Sequence, residues 1–486
     1  MSVTRRQLLS TTGGALVGAV ALSRGAAAQA APSRLAAADP VESFHSRPTL
    51  QPPTLAIAKR PGARSSDYLF LAPFTGPGQH GPLIVDDRGE VVWFHPLQNA
   101  SATTFRAQRF RGKPVLTWWE GQISNTGVGT GIGVVYDSSY RQVAQVRAGN
   151  GYSADLHEFL LTPQGTALIC AYNPVPTDLS SVGGSAAGTA LDSIVQEIDV
   201  ASGRVVFEWH SLQHVALADS FIPPTAAPYD YFHVNSIDVD ADGNLLISAR
   251  NTCALYTIDR KTGDVVWRLG GKRSDFDLSP ASTFMFQHDA RAHPDGSITL
   301  FDDGPSSASQ VSRAIRLGVD RSERRAVLQG EYRHPEPHVA IAMGSAQVLA
   351  DDSVLVGWGT VPSVTQFAPN GSVRFDANFT GQAWNYRALR FPWVGRPTSK
   401  PALKVLSSRA WTTVYVSWNG STETAYWRIE AGDSRGAIRP VRTVAASGFE
   451  TSVKIPGKPA FMAATALDRR RARLGGSGPV AVRKLR

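Results

Sequence analysis

The chain has 486 residues, 18% of them charged, a formal net charge of +9 and only two cysteines. Two cysteines exclude a disulfide framework and a cysteine-based metal centre. The basic excess does not mark a nucleic-acid binder, because much of it gathers at the ends, in Arg5-Arg6 and in Arg469, Arg470, Arg471, Arg473, Arg483, Lys484 and Arg486, with no nucleic-acid-binding motif beside it.

Residues 1–30 read as a twin-arginine export signal. Arg5-Arg6 precede a weakly apolar, Gly/Ala-rich run from Leu8 to Leu22, and Ala28-Gln29-Ala30 offers small residues for cleavage. The run is short of the roughly 20 residues of a spanning helix. An uncleaved anchor is the alternative. The mature chain is therefore expected outside the cytoplasm, extracellular or at the cell surface. Residues 31–66 are Ala/Pro-rich without a long periodic segment and are expected to lie along the surface as a leader.

From Tyr68 the chain becomes short apolar runs broken by Gly, Asp, Asn and Pro, with no long helical periodicity. Two units alternate. One is a hairpin, seen from Val85 (VDDRGEVVWF), Ile198 (IDVASGRVVFEW), Ile258 (IDRKTGDVVWRL) and Phe367 (FAPNGSVRFDA), with Gly-containing turns that tolerate positive φ. The other carries a histidine ahead of a Gly turn and a second apolar strand. It begins at Asp155 (DLHEFLLTPQGTALICAYN), Phe232 (FHVNSIDVDADGNLLISARN) and Gln287 (QHDARAHPDGSITLFDDG), and LADDSVLVGWGT from Leu349 is a relative without histidine. About four strands per roughly 50 residues, repeated, is the pattern of β-propeller blades. Residues 67–395 have room for five or six. Cys170 and Cys253 fall in strand-like runs of neighbouring repeats, which leaves open one bridge or two buried thiols. After Pro392 the spacing changes: alternating strands from Thr412, Thr424, Phe449, Phe461 and Pro479, with Trp418 and Trp427 as core residues, fit a fibronectin type III-like β-sandwich over 396–486.

Equivalent positions of successive blades ring the central channel, so His157, His233 and His288 are expected to meet there. Asn235 lies two residues after His233, on the same strand face. Arg250 closes the next strand of that hairpin and folds back towards His233. Imidazole, amide and guanidinium together suit a tetrahedral oxyanion, whereas pairing of Arg250 with Asp238 or Asp240 is the plainer alternative. A neutral imidazole at His288 can act as a nucleophile. Glu158 points to the opposite face and reads as structural. Tyr172, Asn173, Asp302 and Asp303 end the strands that follow His157 and His288, in positions matching Arg250. Of Trp118 and Trp119, one reaches the channel or both serve packing between blades.

The segments FHVNSIDVDADGNLLISARN, RLGG from Arg268 and FQHDAR resemble the arylsulfotransferase family, over about Tyr68 to Trp393, most closely its actinobacterial and fungal branch. The resemblance implies an all-β fold with a six-bladed propeller. It also implies transfer of a sulfuryl group from a phenolic sulfate ester to a phenolic acceptor, without a nucleotide donor or other cofactor and without a metal, through a sulfated histidine. By motif the nucleophile falls on His288, the sulfate-binding pair on His233 and Asn235, the arginine on Arg250, and another channel histidine on His157. The chain departs from the family's characterised bacterial members in lacking an N-terminal sandwich domain and carrying a C-terminal one, from which a cell-surface contact is expected. Two other readings stay open on the residues: a His-cluster metal enzyme, and an exported binding propeller without chemistry.

Overall fold

The computed structural model describes residues 39–59, 67–304, 311–408 and 410–482. The expected export signal, residues 31–38 and 60–66 of the leader and residues 483–486 of the basic tail lie outside them. The described chain is almost entirely β, in eight antiparallel sheets with one short parallel pairing.

Six sheets share one plan, four antiparallel strands in consecutive order with the first at one margin; two of them carry a fifth strand beyond the fourth. Their leading strands are Ser101–Phe110, Phe159–Leu161, Val234–Val239, His288–Ala292, Ser345–Val348 and Leu389–Phe391. These pack on one another in cyclic order. The strand Thr166–Thr177 bridges Phe159–Leu161 to Val234–Val239, and Leu389–Phe391 meets Ser101–Phe110 to close the circle. The sixth sheet joins the two ends of this region: Leu389–Phe391 pairs with Tyr68–Leu71, which continues into Leu83–Val85 and Val91–Phe94. A circle closed this way gives every sheet a neighbour on both faces.

The hairpins read in the sequence are present. Gly89, Gly203, Gly263 and Gly371 turn them with φ between 72° and 81°. In the fifth sheet the turn after Ser345–Val348 uses Asp352 at φ 58° in the left-handed region that glycine fills elsewhere. Strands buried on both faces need apolar residues from two neighbours, and six apolar clusters fill the six gaps between sheets. Phe301 and Trp358 meet between the fourth and fifth, for example, and Leu69, Leu83, Leu355 and Phe375 between the sixth and fifth. Cys170 and Cys253 are both buried free thiols, so the bridge left open by the sequence is not formed.

The leader differs from expectation. Leu55–Lys59 adds a fifth strand to the fifth sheet, paired with Val373–Phe379. A five-residue strand flanked by Pro52-Pro53 is too short to show period-two alternation, so composition alone hid it.

Residues 402–481 form the two remaining sheets, one of Ala402–Ser407, Trp411–Ser417 and Glu450–Pro456, the other centred on Tyr426–Gly432 and Phe461–Leu467. Trp427, Val414, Val416 and Ile429 lie between them, while Trp418 is half-buried and donates its indole N–H to Ser399 O at 2.7 Å. This unit docks on the sixth sheet through Asn419, whose side chain pairs with both backbone groups of Phe94 (3.0 and 2.9 Å).

Candidate active site

The leading strands do more than line the circle. Three of them carry a bulge. In Val234–Val239 the register slips at Asn235; in His288–Ala292 it slips between His288 and Arg291; in Ser101–Phe110 it slips between Thr103 and Arg106. Left-handed residues sit at these places: His233 at φ 59°, Asp289 at 52°, Thr104 at 53°. A bulge re-aims the side chains around it. Here it turns His233 and His288 towards one point and sends Asp289 the other way.

The three histidines converge. His157 and His233 meet edge to face at 4.8 Å between ring centroids, and Tyr386 stands against both His157 (5.6 Å) and His288 (6.3 Å). Each ring is anchored through Nδ1 by a carboxylate: His157 by Asp155, His233 by Asp230 (2.5 Å), and His288 by Asp303 (2.5 Å). With Nδ1–H donating to a carboxylate, Nε2 is the ring atom left with its lone pair. For His288 a second contact agrees, because the Met343 amide N–H donates to His288 Nε2 at 3.3 Å.

For His157 and His288 the environment favours the neutral ring. Burial lowers the pKa of His157 against the pull of Asp155. Burial pushes His288 well below the ordinary histidine value, and the charges of Arg250, His157, His233 and Arg387 push the same way. Burial drives the Asp303 carboxyl upward, opposed by Arg250.

Arg250 is tied to the cluster by its backbone, its N–H donating to His233 O at 3.0 Å. Its guanidinium donates to Asn251 Oδ1 (2.9 Å) and Ile341 O (3.3 Å) and lies 4.8 Å from the Phe286 ring centre. It pairs with neither Asp238, which accepts from the Ala292 N–H, nor Asp240, which faces Arg321. Asn235 is fully buried but differs from a simple oxyanion donor. Its Nδ2 donates to Gln287 O at 2.7 Å, bracing the residue before His288, and its Oδ1 has no partner. All five residues expected at the site thus lie together, with Asn235 engaged on the backbone.

Beside the histidines the axis is filled with charge. Glu158 meets Arg291 (2.6 Å), Arg387 (2.9 Å) and Arg106 (3.8 Å), and Asp289 meets Arg291 (2.6 Å) and Arg387 (2.9 Å). Burial alone would raise the Glu158 pKa, but the three guanidiniums bring it well below the usual carboxylate range. Arg106 is lowered to about 10, by burial first. Glu158 is structural, as the sequence suggested; its three partners come from the first sheet, the fourth sheet and the segment just ahead of Leu389–Phe391. Trp118 and Trp119 are both fully buried, the first among Phe70, Trp93 and Phe105, the second donating to Ala154 O at 2.9 Å. Packing is their role.

Several groups at the site were not picked out from the sequence. Asp155 and Asp230 precede their histidines by two and three residues, a spacing that a search for carboxylates near each histidine finds. Asp303 and Tyr172 were noted only as strand ends; Tyr172 donates to Val234 O at 2.6 Å and stands 5.8 Å from His233. Tyr386, which donates to Asn235 O at 2.9 Å, and the Met343 amide carry no local signal. Among the described residues no group of three or more His, Cys, Asp or Glu is arranged to hold a metal ion.

A neutral imidazole with a carboxylate on Nδ1, beside a guanidinium and two further imidazoles, can attack an electrophile and stabilise negative charge on its oxygens. The family model described as arylsulfotransferase (ASST) matches residues 106–380, more than half of the chain and a span that includes all five residues. The chain belongs to the arylsulfotransferase family. No curated protein matches it. Similar solved structures include a protein of unknown function from Bacteroides caccae (TM-score 0.44, 12% identity, covering 67% of this chain and 99% of that one). A streptogramin B lyase (TM-score 0.36, 10%, 66% and 87%) and a catalytically inactive virginiamycin B lyase from Staphylococcus aureus (TM-score 0.35, 10%, 76% and 96%) are also similar.

Proposed function

We propose that this arylsulfotransferase-family protein moves a sulfuryl group from a phenolic sulfate ester to a phenolic acceptor through a sulfohistidine at His288. The observation that carries the reading is the His288 pair of contacts, Nδ1 on Asp303 and Nε2 accepting a hydrogen bond, which leaves a buried neutral ring with its lone pair on Nε2. In the first half-reaction Nε2 attacks sulfur, the Nε2–S bond forms, and the S–O(aryl) bond breaks. The phenolate leaves with the electron pair and takes a proton from the His233 imidazolium as general acid. Asp303 balances the positive charge that develops on the His288 ring. In the second half the acceptor phenol loses its proton to the same imidazole, its oxygen attacks sulfur, and His288 is regenerated. Sulfuryl transfer spreads negative charge over equatorial oxygens, as phosphoryl transfer does. Arg250 and His233 supply cationic or N–H donors to those oxygens, and Asn235 braces the backbone ahead of the nucleophile.

The same reading takes the six ringed sheets as the blades of a β-propeller over 67–395 and the last two sheets as a fibronectin type III-like sandwich over 396–486. It places the mature chain outside the cytoplasm. The test is mass spectrometry after brief exposure to an aryl sulfate. A sulfated peptide containing His288 is expected, and His288→Ala is expected to abolish both the adduct and the transfer. Full transfer by His288→Ala would overturn the proposal.

A further inference from the structure

The net charge is distributed unevenly. Residues 396–486 hold seventeen Lys and Arg against five Asp and Glu, net +12, so the preceding 395 residues sum to −3. The C-terminal sandwich is a cationic module on a mildly acidic catalytic body. Part of that charge is neutralised locally, with Arg396 on Glu423 and Arg428 on Glu430. Several of the others lie on one face without a carboxylate partner among the described residues.

One face stands out. In the sheet of Ala402–Ser407, Trp411–Ser417 and Glu450–Pro456, the inward positions Val405, Val414, Val416, Val453 and Ile455 are buried. Period-two alternation therefore turns Lys404, Trp411, Tyr415 and Lys454 outward. The register sets Lys404 opposite Tyr415 and Lys454 opposite Thr413, one step along from Trp411. Lys458 follows on the turn whose Gly457 O accepts the Thr412 hydroxyl at 2.9 Å, at the Trp411 end. Across the open edge runs Arg439–Ala445, exposed almost throughout. Its Arg442 donates to Lys454 O at 3.0 Å, which draws two cations together. Among the described residues none of Lys404, Lys454, Lys458, Arg439 and Arg442 has a carboxylate within ion-pair distance. Like charges gathered this way repel and stay favourable only when counter-anions settle between them.

The second observation is Trp411. Of eleven tryptophans it alone is exposed, at 50%. A bare indole set among unpaired lysines gives a flat apolar seat flanked by cations. That chemistry suits a sugar ring carrying anionic groups, the ring stacked on the indole and the anions on the lysines. A single-stranded nucleic acid is gripped by successive aromatic platforms; this face has one exposed indole, and the Tyr415 ring is covered by His45 at 4.1 Å.

We propose that this face of the C-terminal sandwich binds an anionic polysaccharide. It stands apart from the histidine cluster and from the reading of its chemistry. The test uses the full chain and dextran sulfate, with neutral dextran and a single-stranded DNA of equal charge as comparators. Salt-sensitive binding of dextran sulfate is expected, preferred over the DNA at equal charge, with none to neutral dextran. Arg442→Glu with Lys454→Glu is expected to weaken it about tenfold or more, and Trp411→Ala by about fivefold. Arg469→Glu with Arg470→Glu, equal in charge but elsewhere on the module, is expected to leave it within about twofold. All five substituted positions are exposed, and unchanged thermal unfolding would show that the variants fold. Absence of dextran sulfate binding, equal loss in the control variant, or preference for the DNA would each overturn the proposal.

Discussion

Replacing Asp303 by Asn keeps the size of the side chain but changes what it offers His288 Nδ1. Asp303 stands 2.5 Å from Nδ1 while Nε2 accepts from the Met343 N–H, so Nδ1 carries the proton and Nε2 the lone pair. An amide can present its N–H₂ instead, which leaves the lone pair on Nδ1 and a proton on Nε2, the atom proposed to attack. The Met343 N–H, now facing an N–H, adds repulsion against that tautomer, so the variant divides between two poor arrangements. Loss of a charge-assisted hydrogen bond is worth about 2–3 kcal/mol, which corresponds to roughly 30- to 150-fold in rate. The share of wrong tautomer adds to this, and a histidine held in the wrong tautomer elsewhere loses about 10⁴. The expected result is a fall in kcat of at least about 30-fold with a small change in KM, because the bond matters when charge develops on the ring. Single-turnover appearance of the sulfated His288 peptide, followed by mass spectrometry, isolates the step. Formation of that adduct at the wild-type rate, or a loss confined to KM, would refute the role of Asp303 and the assignment of Nε2.

Three other outcomes follow from the site. Glu158→Gln leaves Arg106, Arg291 and Arg387 with Asp289 as their shared carboxylate, and removing one partner of a buried ionic group costs about 3–5 kcal/mol; a lower midpoint in urea unfolding is expected, while a surface control such as Glu323→Gln leaves the midpoint unchanged. Stability is expected to fall as pH drops below about 6.5: the folded pKa values of His157 and His288 lie below the unfolded one, so the unfolded chain binds more protons there. His288→Gln should flatten that limb in chemical denaturation at stepped pH. Arg250→Lys keeps the charge but loses the planar fork; activity is expected to fall about ten- to a hundredfold without loss of fold by circular dichroism, and wild-type activity would remove the guanidinium from the proposed oxyanion contacts.

How much of this was legible depended on range. The hairpins at Gly89, Gly203, Gly263 and Gly371 were visible because turn chemistry and strand alternation are local. So was the relation between His157, His233 and His288, since a repeat copies position as well as structure. The bulges were not visible. Period-two alternation placed Asn235 on the His233 face, but the register slips at Asn235 itself and His233 is left-handed. The amide therefore turns to Gln287 O on the next leading strand. Nothing in FHVN specifies that; it comes from the neighbouring sheet bringing the Gln287 carbonyl within reach. Tyr386 and Met343 escaped for the same reason, because their partners are distant in sequence and each contact exists only once the circle closes.

Closure also explains why the charged network on the axis was not legible in the sequence. Arg106, Glu158, Asp289, Arg291 and Arg387 are scattered over nearly three hundred residues and look like ordinary surface residues in a β-rich chain. Six leading strands around one axis leave a space that each sheet can reach with only a residue or two. Polar side chains there must satisfy one another, because water and backbone partners are limited. Two carboxylates among three guanidiniums leave a positive excess, and Arg387 is among the charges that hold His288 neutral. The network that joins the sheets is thus part of what sets the state of the nucleophile. Glu158→Gln should therefore act beyond stability. With one negative charge gone from the axis, the local potential rises, and the His288 pKa should fall further. The acid limb of the pH–rate profile should move to lower pH in the fraction that stays folded. A limb that stays in place, in a variant whose unfolding midpoint has dropped, would mean that the axis network carries structure alone.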